Sequence, residues 1–187
     1  MDNSFPRTNS MKRLHKKNIN SLKYWDSHIA DPGFGLRQQK YIELAGKGNK
    51  IIELGCGLSP FAEKARKNFK ESYALDFSYD TIKEFKNKYP KVNCYISDAK
   101  KTPFPDKFFD VSVAGEMIEH LEKPMELLEE MKRITKRKII LSTAHMEYDE
   151  PEHLWLFDKE DFPGAETEEI KSDWFPGRSY LFVTIDL

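Results

Sequence analysis

The chain has 187 residues, 33% of them charged and 39% in the hydrophobic set, with a formal net charge of −1 at pH 7. This length is sufficient for one domain with a buried core. The near-neutral balance excludes strong long-range attraction to phosphate backbones, so nucleic acid is not expected as the main partner. The 2 cysteines are too few for a disulfide framework, and no segment approaches the roughly 20 apolar residues of a membrane span. We therefore expect a cytoplasmic protein without a membrane span.

Residues 1–48 are predicted to form an N-terminal helical arm. Residues 1–18 are polar and basic without periodicity, whereas residues 19–30 carry apolar side chains at near-helical spacing. A second helix is predicted over residues 36–45, ended by the glycines that follow it. The arm also contains aromatic residues that either form a lid over a ligand or pack against the rest of the protein: Trp25, Phe34 and Tyr41.

Short apolar runs and amphipathic stretches alternate from residue 50 onward. Five of the apolar runs are predicted to be strands: 50–54, 72–76, 92–97, 109–115 and 138–143. The stretches between them are predicted to be helices: 60–69, 78–88 and 124–135. Strands that alternate with helices in this way predict a mostly parallel α/β sheet covered on both faces.

The C-terminal residues differ from this alternation. The segments "AETEEIKSDWF" and "RSYLFVTIDL" flank Pro176-Gly177, and both have the composition of strands. They predict an antiparallel hairpin at one edge of the sheet, which brings the total to seven strands. Because no repeat or low-complexity linker interrupts the chain, we expect a single domain, with the core at residues 49–187.

The stretch "IIELGCGLSP" at residues 51–60 places Gly55 and Gly57 directly after the first predicted strand. One interpretation is a tight turn required by the chain path alone. The other is a close approach of the backbone to a ligand, since ligands of open parallel sheets bind outside the carboxyl ends of the strands. A helix beginning just after the turn would add its N-terminal N–H groups to the same crevice.

Acidic residues end the next two predicted strands and favour the ligand interpretation. Asp76 ends the second strand, where its carboxylate can accept from both hydroxyls of a ribose or, alternatively, can favour the dipole of the helix that follows. Asp98 follows the third strand. A dinucleotide site is disfavoured because Pro60 stands where the third glycine of G-x-G-x-x-G belongs, and no Lys-Ser or Lys-Thr pair follows for a P-loop.

From Lys50 to Phe162 the chain resembles the class I S-adenosylmethionine-dependent methyltransferases, in particular the small-molecule enzymes of the ubiquinone-biosynthesis type. The family motif E/D-x-G-x-G-x-G is present as "ELGCGLS", with Ser59 in place of the last glycine. The block "PFPDKFFDVSVAGEMIEHLEKPMELLEEMKRITK" is similar to the family's strand four, its E-x-x-E-H-L motif and the helix beyond. The segment "PEHLWLFDKEDF" is similar to the H-x-x-x-F segment after strand five, with His153 and Phe157.

The resemblance implies a Rossmann-like, doubly wound sheet with a C-terminal antiparallel strand, and S-adenosyl-L-methionine as the cofactor. In the family, the acid matched by Asp76 holds the ribose diol and the acid matched by Asp98 lies near the adenine amino group, while Glu53 is expected to orient the ammonium end. The implied cofactor-binding residues are Glu53, Gly55, Cys56, Gly57, Asp76, Phe77, Asp98, Ala99 and Glu116.

The expected activity is methyl transfer to an oxygen or nitrogen of a small-molecule acceptor, by a monomer or homodimer. The candidate catalytic bases are His120, His145 and His153, with Glu116 assigned to the cofactor side. His145, Asp149 and His153 lie close in sequence, but their spacing fits no standard ligand pattern, so no metal site is predicted. Two alternatives remain open: a non-catalytic module that binds the cofactor, and an aminopropyl-type transferase.

Overall fold

The computed structural model describes residues 12–13, 32–145, 153–172 and 177–187. The helix predicted over residues 19–30 lies outside the described residues, as do Trp25 and Asp149. Residues 12–13 pair antiparallel with the two-residue strand Trp155–Leu156. Within the described ranges, no helix is long and apolar enough to cross a bilayer.

Seven strands form the main sheet, and all of them were predicted. They are β1 (Gly48–Leu54), β2 (Phe69–Asp76), β3 (Asn93–Ile96), β4 (Phe109–Gly115), β5 (Thr135–Ala144), β6 (Glu166–Lys171) and β7 (Ser179–Asp186). Their spatial order is β3-β2-β1-β4-β5-β7-β6. The first five run parallel, whereas β7 is antiparallel to both β5 and β6. The predicted doubly wound fold with its C-terminal hairpin is confirmed.

Four α-helices of the described residues connect or precede the strands. They are α1 (Pro32–Ala45), α2 (Phe61–Ala65), α3 (Tyr79–Lys88) and α4 (Pro124–Ile134), and short 3₁₀ helices cover Ile118–His120 and Lys159–Asp161. The predicted N-cap of α3 is present, since the Ser78 hydroxyl accepts a hydrogen bond from the Thr81 N–H at 3.3 Å. Proline begins both α1 and α4, a position where its missing N–H costs no helical hydrogen bond.

The helix predicted over residues 60–69 is wrong in its second half. Helix α2 ends at Ala65, and β2 already begins at Phe69. Phe69 is buried and pairs with Gly48 of β1, so sheet pairing and burial outweigh the local helical pattern. The turn after β1 is therefore followed by a helix of little more than one turn, packed beneath it.

The core lies on both faces of the sheet because neighbouring residues of each strand point to opposite sides. In β1, Ile51 packs with Tyr41 of α1 and Phe61 of α2, while Ile52 packs into a cluster that includes Leu128 of α4. Both isoleucines are fully buried. This double coverage makes the strands nearly continuous apolar runs and leaves polar side chains for the strand ends.

Candidate cofactor and active site

The order of the strands places a crevice between β1 and β4. Strand β2 lies on the far side of β1 and β5 on the far side of β4, so the chain winds outward in both directions from this pair. In open parallel sheets, ligands bind at such a reversal, outside the carboxyl ends of the strands. The glycine turn follows β1 at this point and Glu116 follows β4.

The glycine turn has a left-handed backbone, with φ of 67° at Gly55 and 50° at Gly57. Gly57 donates its N–H to the Asp76 carboxylate at 3.1 Å, and Cys56 donates to the carbonyl of Leu75 at 3.0 Å, so the turn is held by the end of β2. At Gly55 a side chain would meet Met117 directly. The need for glycine at residue 55 therefore comes from the turn and from Met117, whether or not a ligand is bound.

We expect Gly55→Ala to lower the free energy of unfolding by at least about 2 kcal/mol, which combines the left-handed backbone with crowding against Met117. Gly46→Ala is the matched control, because Gly46 has the same φ of 67° but no atom within 4 Å of an added Cβ. The control should lose only about 1 kcal/mol. Urea unfolding of both variants measures the difference, and equal losses would contradict a role for Met117.

Asp76 is buried at the end of β2 and binds the turn from below. Its carboxylate accepts from the N–H groups of Gly57 at 3.1 Å and Ser78 at 2.9 Å. Burial raises the pKa of this carboxyl above its usual value, although the two N–H donors favour the charged form. The side chain thus links the ends of two neighbouring strands and still has acceptor capacity toward the crevice.

Glu53, near the end of β1, is also buried. Its carboxylate accepts from the Ala62 N–H of helix α2 at 3.3 Å. Burial raises its pKa to about 8, while the Ser59 hydroxyl and the Ala62 N–H partly offset that effect. The adjacent Cys56 thiol is buried, and burial raises its pKa well above the usual value, so it is a packed neutral thiol.

The remaining cofactor-side residues lie at the ends of β2 and β3. Asp98 is exposed and pairs with Lys100, whose Nζ is 3.1 Å from the carboxylate. Ala99 beside it is buried, whereas Phe77 is 58% exposed. These residues form one rim of the crevice, next to Asp76. The structure thus brings the predicted cofactor-side residues to the carboxyl ends of four adjacent strands.

Glu116 has a more elaborate environment than the sequence indicated. It is not glycine, yet its φ is 50°, a conformation that is uncommon for such residues and often found at functional sites. Its carboxylate accepts a hydrogen bond from the Ser142 hydroxyl of β5. Since that hydroxyl has one proton to donate, the Tyr41 hydroxyl must be the donor in the Tyr41–Ser142 hydrogen bond.

Charge also acts on Glu116. Its pKa is raised to about 7, chiefly by burial and also by the charge of the neighbouring Glu119, while Arg37 opposes both effects. Arg37 Nη1 lies 3.9 Å from the carboxylate, and its guanidinium stacks over the ring of Tyr180 at 4.2 Å. The side chain of Glu116 remains 19% exposed, so it is accessible from the crevice.

Three residues of this network were not predicted to take part in the site. Arg37 and Ser142 were not singled out at all, and Tyr41 was considered only as an aromatic side chain. Arg37 and Tyr41 are four residues apart in a predicted helix, so they lie on one face, and this spacing was the available signal. Nothing in the sequence indicated that this face packs on the ends of β4 and β5. Tyr41 is buried against Phe61 and Phe182, which favours the packing interpretation over the lid.

The three candidate histidines separate into two groups. His120 and His153 face each other with ring centroids 4.9 Å apart, beyond the 3₁₀ helix that follows β4. His145, after β5, is held by the Phe157 carbonyl at 3.0 Å and lies 4.0 Å from Glu169 of the hairpin. Their roles as catalytic bases stay predictions. His153 therefore lies beside His120 and does not form a group of potential metal ligands with His145.

This sheet order, with a glycine turn after β1 and an acid at the end of β2, defines the class I S-adenosylmethionine-dependent methyltransferase fold. Residues 52–142 match a family model described as a methyltransferase domain. The match spans just under half of the chain and supports a class I S-adenosylmethionine-dependent methyltransferase, with S-adenosyl-L-methionine as the cofactor. The match includes the residues at the ends of β1 to β4 described above. It does not include helix α1 or the segment after β5.

Relatives and solved structures agree with this assignment. A demethylmenaquinone methyltransferase of Paenarthrobacter aurescens is 31% identical over 101 residues, which cover 52% of this chain and 40% of that enzyme. A probable S-adenosylmethionine-dependent methyltransferase of Mycolicibacterium smegmatis is 26% identical over 112 residues, covering 58% of this chain and 44% of the relative. The chain thus spans less than half the length of these curated relatives.

The structure of a SAM-dependent methyltransferase from Aquifex aeolicus superimposes with a TM-score of 0.64. The superposition covers 89% of this chain and 100% of that one, at 18% identity. At this level of identity the similarity establishes the fold.

Proposed function

We propose that this chain binds S-adenosyl-L-methionine at the crevice between β1 and β4 and transfers its methyl group to an oxygen or nitrogen of a small molecule. The observation that carries the proposal is the Asp76 carboxylate, which is buried at a strand end and holds the glycine turn through Gly57. A purely structural acid at this position has no need for the neighbouring acids at the ends of β1 and β3. Their placement at the carboxyl ends of adjacent strands supports a ligand with several hydroxyl and amino groups.

The residues fit the parts of this cofactor. Asp76 offers a charged acceptor to the ribose hydroxyls, Asp98 offers one to the adenine amino group, and Ala99 leaves space beside the ring. Glu53, which lies under the glycine turn, favours the ammonium group, and an ammonium in turn would lower the raised pKa of Glu53. When bound, the cofactor supplies a methyl group already activated on a sulfonium, so the chain need only position the acceptor and manage its proton.

Glu116 is proposed as the group that takes the acceptor proton. A base works best when its pKa is near the working pH, and burial raises the pKa of Glu116 to about 7. With the cofactor bound in the crevice, the Glu116 carboxylate would accept the proton that the acceptor atom loses when it is methylated. Ser142 and Tyr41 hold that carboxylate in place.

A small acceptor is supported by the demethylmenaquinone methyltransferase relative, whose name indicates a quinone-like substrate. The chain has a net charge of −1, which gives no long-range attraction to the phosphates of RNA. A small, partly apolar acceptor with an ionisable hydroxyl or amine therefore fits best. The acceptor would lie on the side of Glu116 that is exposed to the crevice.

Calorimetric titration of the full chain with S-adenosylmethionine and S-adenosylhomocysteine tests the proposal. We expect one equivalent of either to bind, and incubation with methyl-labelled cofactor and a set of phenols and amines should label a small acceptor. Absence of binding at high micromolar cofactor would overturn the proposal. Binding without transfer would instead favour the non-catalytic module, and preference for decarboxylated cofactor would favour an aminopropyl transferase.

A further inference from the structure

Three side chains with metal-binding groups converge next to the crevice, where no metal site was predicted. Glu119 and His120 belong to the 3₁₀ helix after β4, and His153 comes from the segment after β5. One potential ligand atom from each of the three lies within 4.8 Å of the other two. Glu119 and His153 are buried, and His120 is partly exposed.

Two hydrogen bonds fix the segment that carries His153 beside the 3₁₀ helix that carries Glu119 and His120. The N–H of Leu154, adjacent to His153, donates to the carbonyl of Glu119 at 2.8 Å. The indole N–H of Trp155 donates to the carbonyl of Leu121 at 2.7 Å. The two hydrogen bonds flank the cluster and fix the segment after β5 to the 3₁₀ helix. The arrangement is therefore preorganised and does not depend on two exposed side chains meeting by chance.

One oxygen of the Glu119 carboxylate lacks a hydrogen-bond donor among the described residues. The other oxygen accepts from the Ala144 N–H at 3.2 Å, whereas this one is buried. A buried, unpartnered carboxylate oxygen is costly unless a positive charge or a donor compensates it.

We propose that Glu119, His120 and His153 form a binding site for a divalent transition-metal cation, with Zn²⁺ as the best match. Two imidazoles and one carboxylate suit Zn²⁺, whereas Mg²⁺ and Ca²⁺ prefer sets made only of oxygen. Donors placed about 2.0–2.2 Å from a tetrahedral Zn²⁺ are roughly 3.4 Å apart, so binding draws the cluster together by about 1 Å. Three protein ligands leave one coordination position of a tetrahedral ion open.

The site does not depend on the proposed methyl transfer, since its residues would bind the ion with or without the cofactor. The competing explanation is a proton: a protonated histidine can compensate Glu119 without any metal. That explanation predicts pH dependence but no affinity for Zn²⁺ or Co²⁺. Metal binding can therefore be tested directly by spectroscopy on the full chain.

The full chain is first treated with a chelator and then titrated with Co²⁺, with Zn²⁺ affinity measured by calorimetry against a competing chelator. We expect one equivalent of Co²⁺ to produce the visible d–d absorption of a tetrahedral site and Zn²⁺ to displace it. His153→Ala and His120→Ala should each weaken Zn²⁺ binding by at least about 100-fold, because even outer-shell partners contribute 10- to 100-fold. His145→Ala is the matched control and should bind as the wild type does.

His120 is the more exposed of the two histidines, so His120→Ala decides the question if His153→Ala fails to fold, as judged by circular dichroism. Two outcomes would overturn the proposal. One is the absence of tetrahedral Co²⁺ absorption in the wild type. The other is equal Zn²⁺ affinity in the wild type and in the folded histidine variants, which would locate the ion elsewhere.

Discussion

Replacing Asp76 by alanine is expected to weaken S-adenosylmethionine binding by 10-fold or more. A charged acceptor of two hydroxyl hydrogen bonds is worth roughly 1.5–3 kcal/mol, and about 1.4 kcal/mol corresponds to a factor of 10 in affinity. The structure adds a second reason, since the same carboxylate accepts from Gly57 and Ser78 and so fixes the turn beneath the cofactor. Calorimetry with S-adenosylhomocysteine measures the change without turnover.

Two further variants make this measurement specific. Asp76→Asn keeps one acceptor oxygen and the side-chain shape, so it should bind with intermediate affinity. Asp186→Ala removes an exposed aspartate of β7 that pairs with Lys138 near the start of β5, away from the carboxyl ends of the parallel strands, and it should bind as the wild type does. Unchanged affinity in a folded Asp76→Ala protein would show that the ribose is not held at the end of β2.

The fold could be predicted from sequence because its information is local. Each buried parallel strand is a short apolar run that ends in, or is followed by, a polar or glycine residue where the chain leaves the sheet. The hairpin was visible as two strand-like segments around Pro176-Gly177. The error at α2 shows the limit: residues 66–69 have a helical pattern, but Phe69 gains more by pairing beside Gly48 and packing in the core.

The site was predictable only where its residues stand at strand ends. Glu53, Asp76 and Asp98 lie at or just beyond the ends of three consecutive strands, so topology alone predicted that they would be near one another. The Tyr41–Ser142 hydrogen bond joins residues 101 positions apart, and nothing in either segment specifies the other. The pairing of His153 with His120 is likewise tertiary, which explains why spacing around His145 indicated no metal site.

Glu116 and Glu119 couple the two proposed sites. They lie three residues apart, and the charge of Glu119 contributes to the raised pKa of Glu116. A cation bound by Glu119 would replace that repulsion with attraction and lower the pKa of Glu116. Whether Glu119, His120 and His153 hold a cation should thus set the pH at which Glu116 becomes an effective base. The pH profile of the reaction is therefore best measured in the presence of a chelator.

Under those conditions, Glu116→Gln is expected to lower kcat by roughly 10²–10⁴-fold, the usual contribution of a positioned base. For the wild type, kcat/KM should rise with pH through about 7 and then level off, because Glu116 must be ionised to accept the acceptor proton and its pKa is about 7. Glutamine cannot ionise, so the variant should lack this rise. Cofactor affinity should change much less than kcat.

His145→Ala separates this mechanism from the histidine alternatives. If His145 were the base, its variant would lose both the rate and the pH-dependent rise, and Glu116→Gln would retain the rise. Glu129→Gln, which alters an exposed acid on α4, controls for the loss of one negative charge. Because Ser142 and Tyr41 orient the Glu116 carboxylate, Tyr41→Phe should reduce kcat while keeping the pH-dependent rise. That combination distinguishes a positioning residue from the base itself.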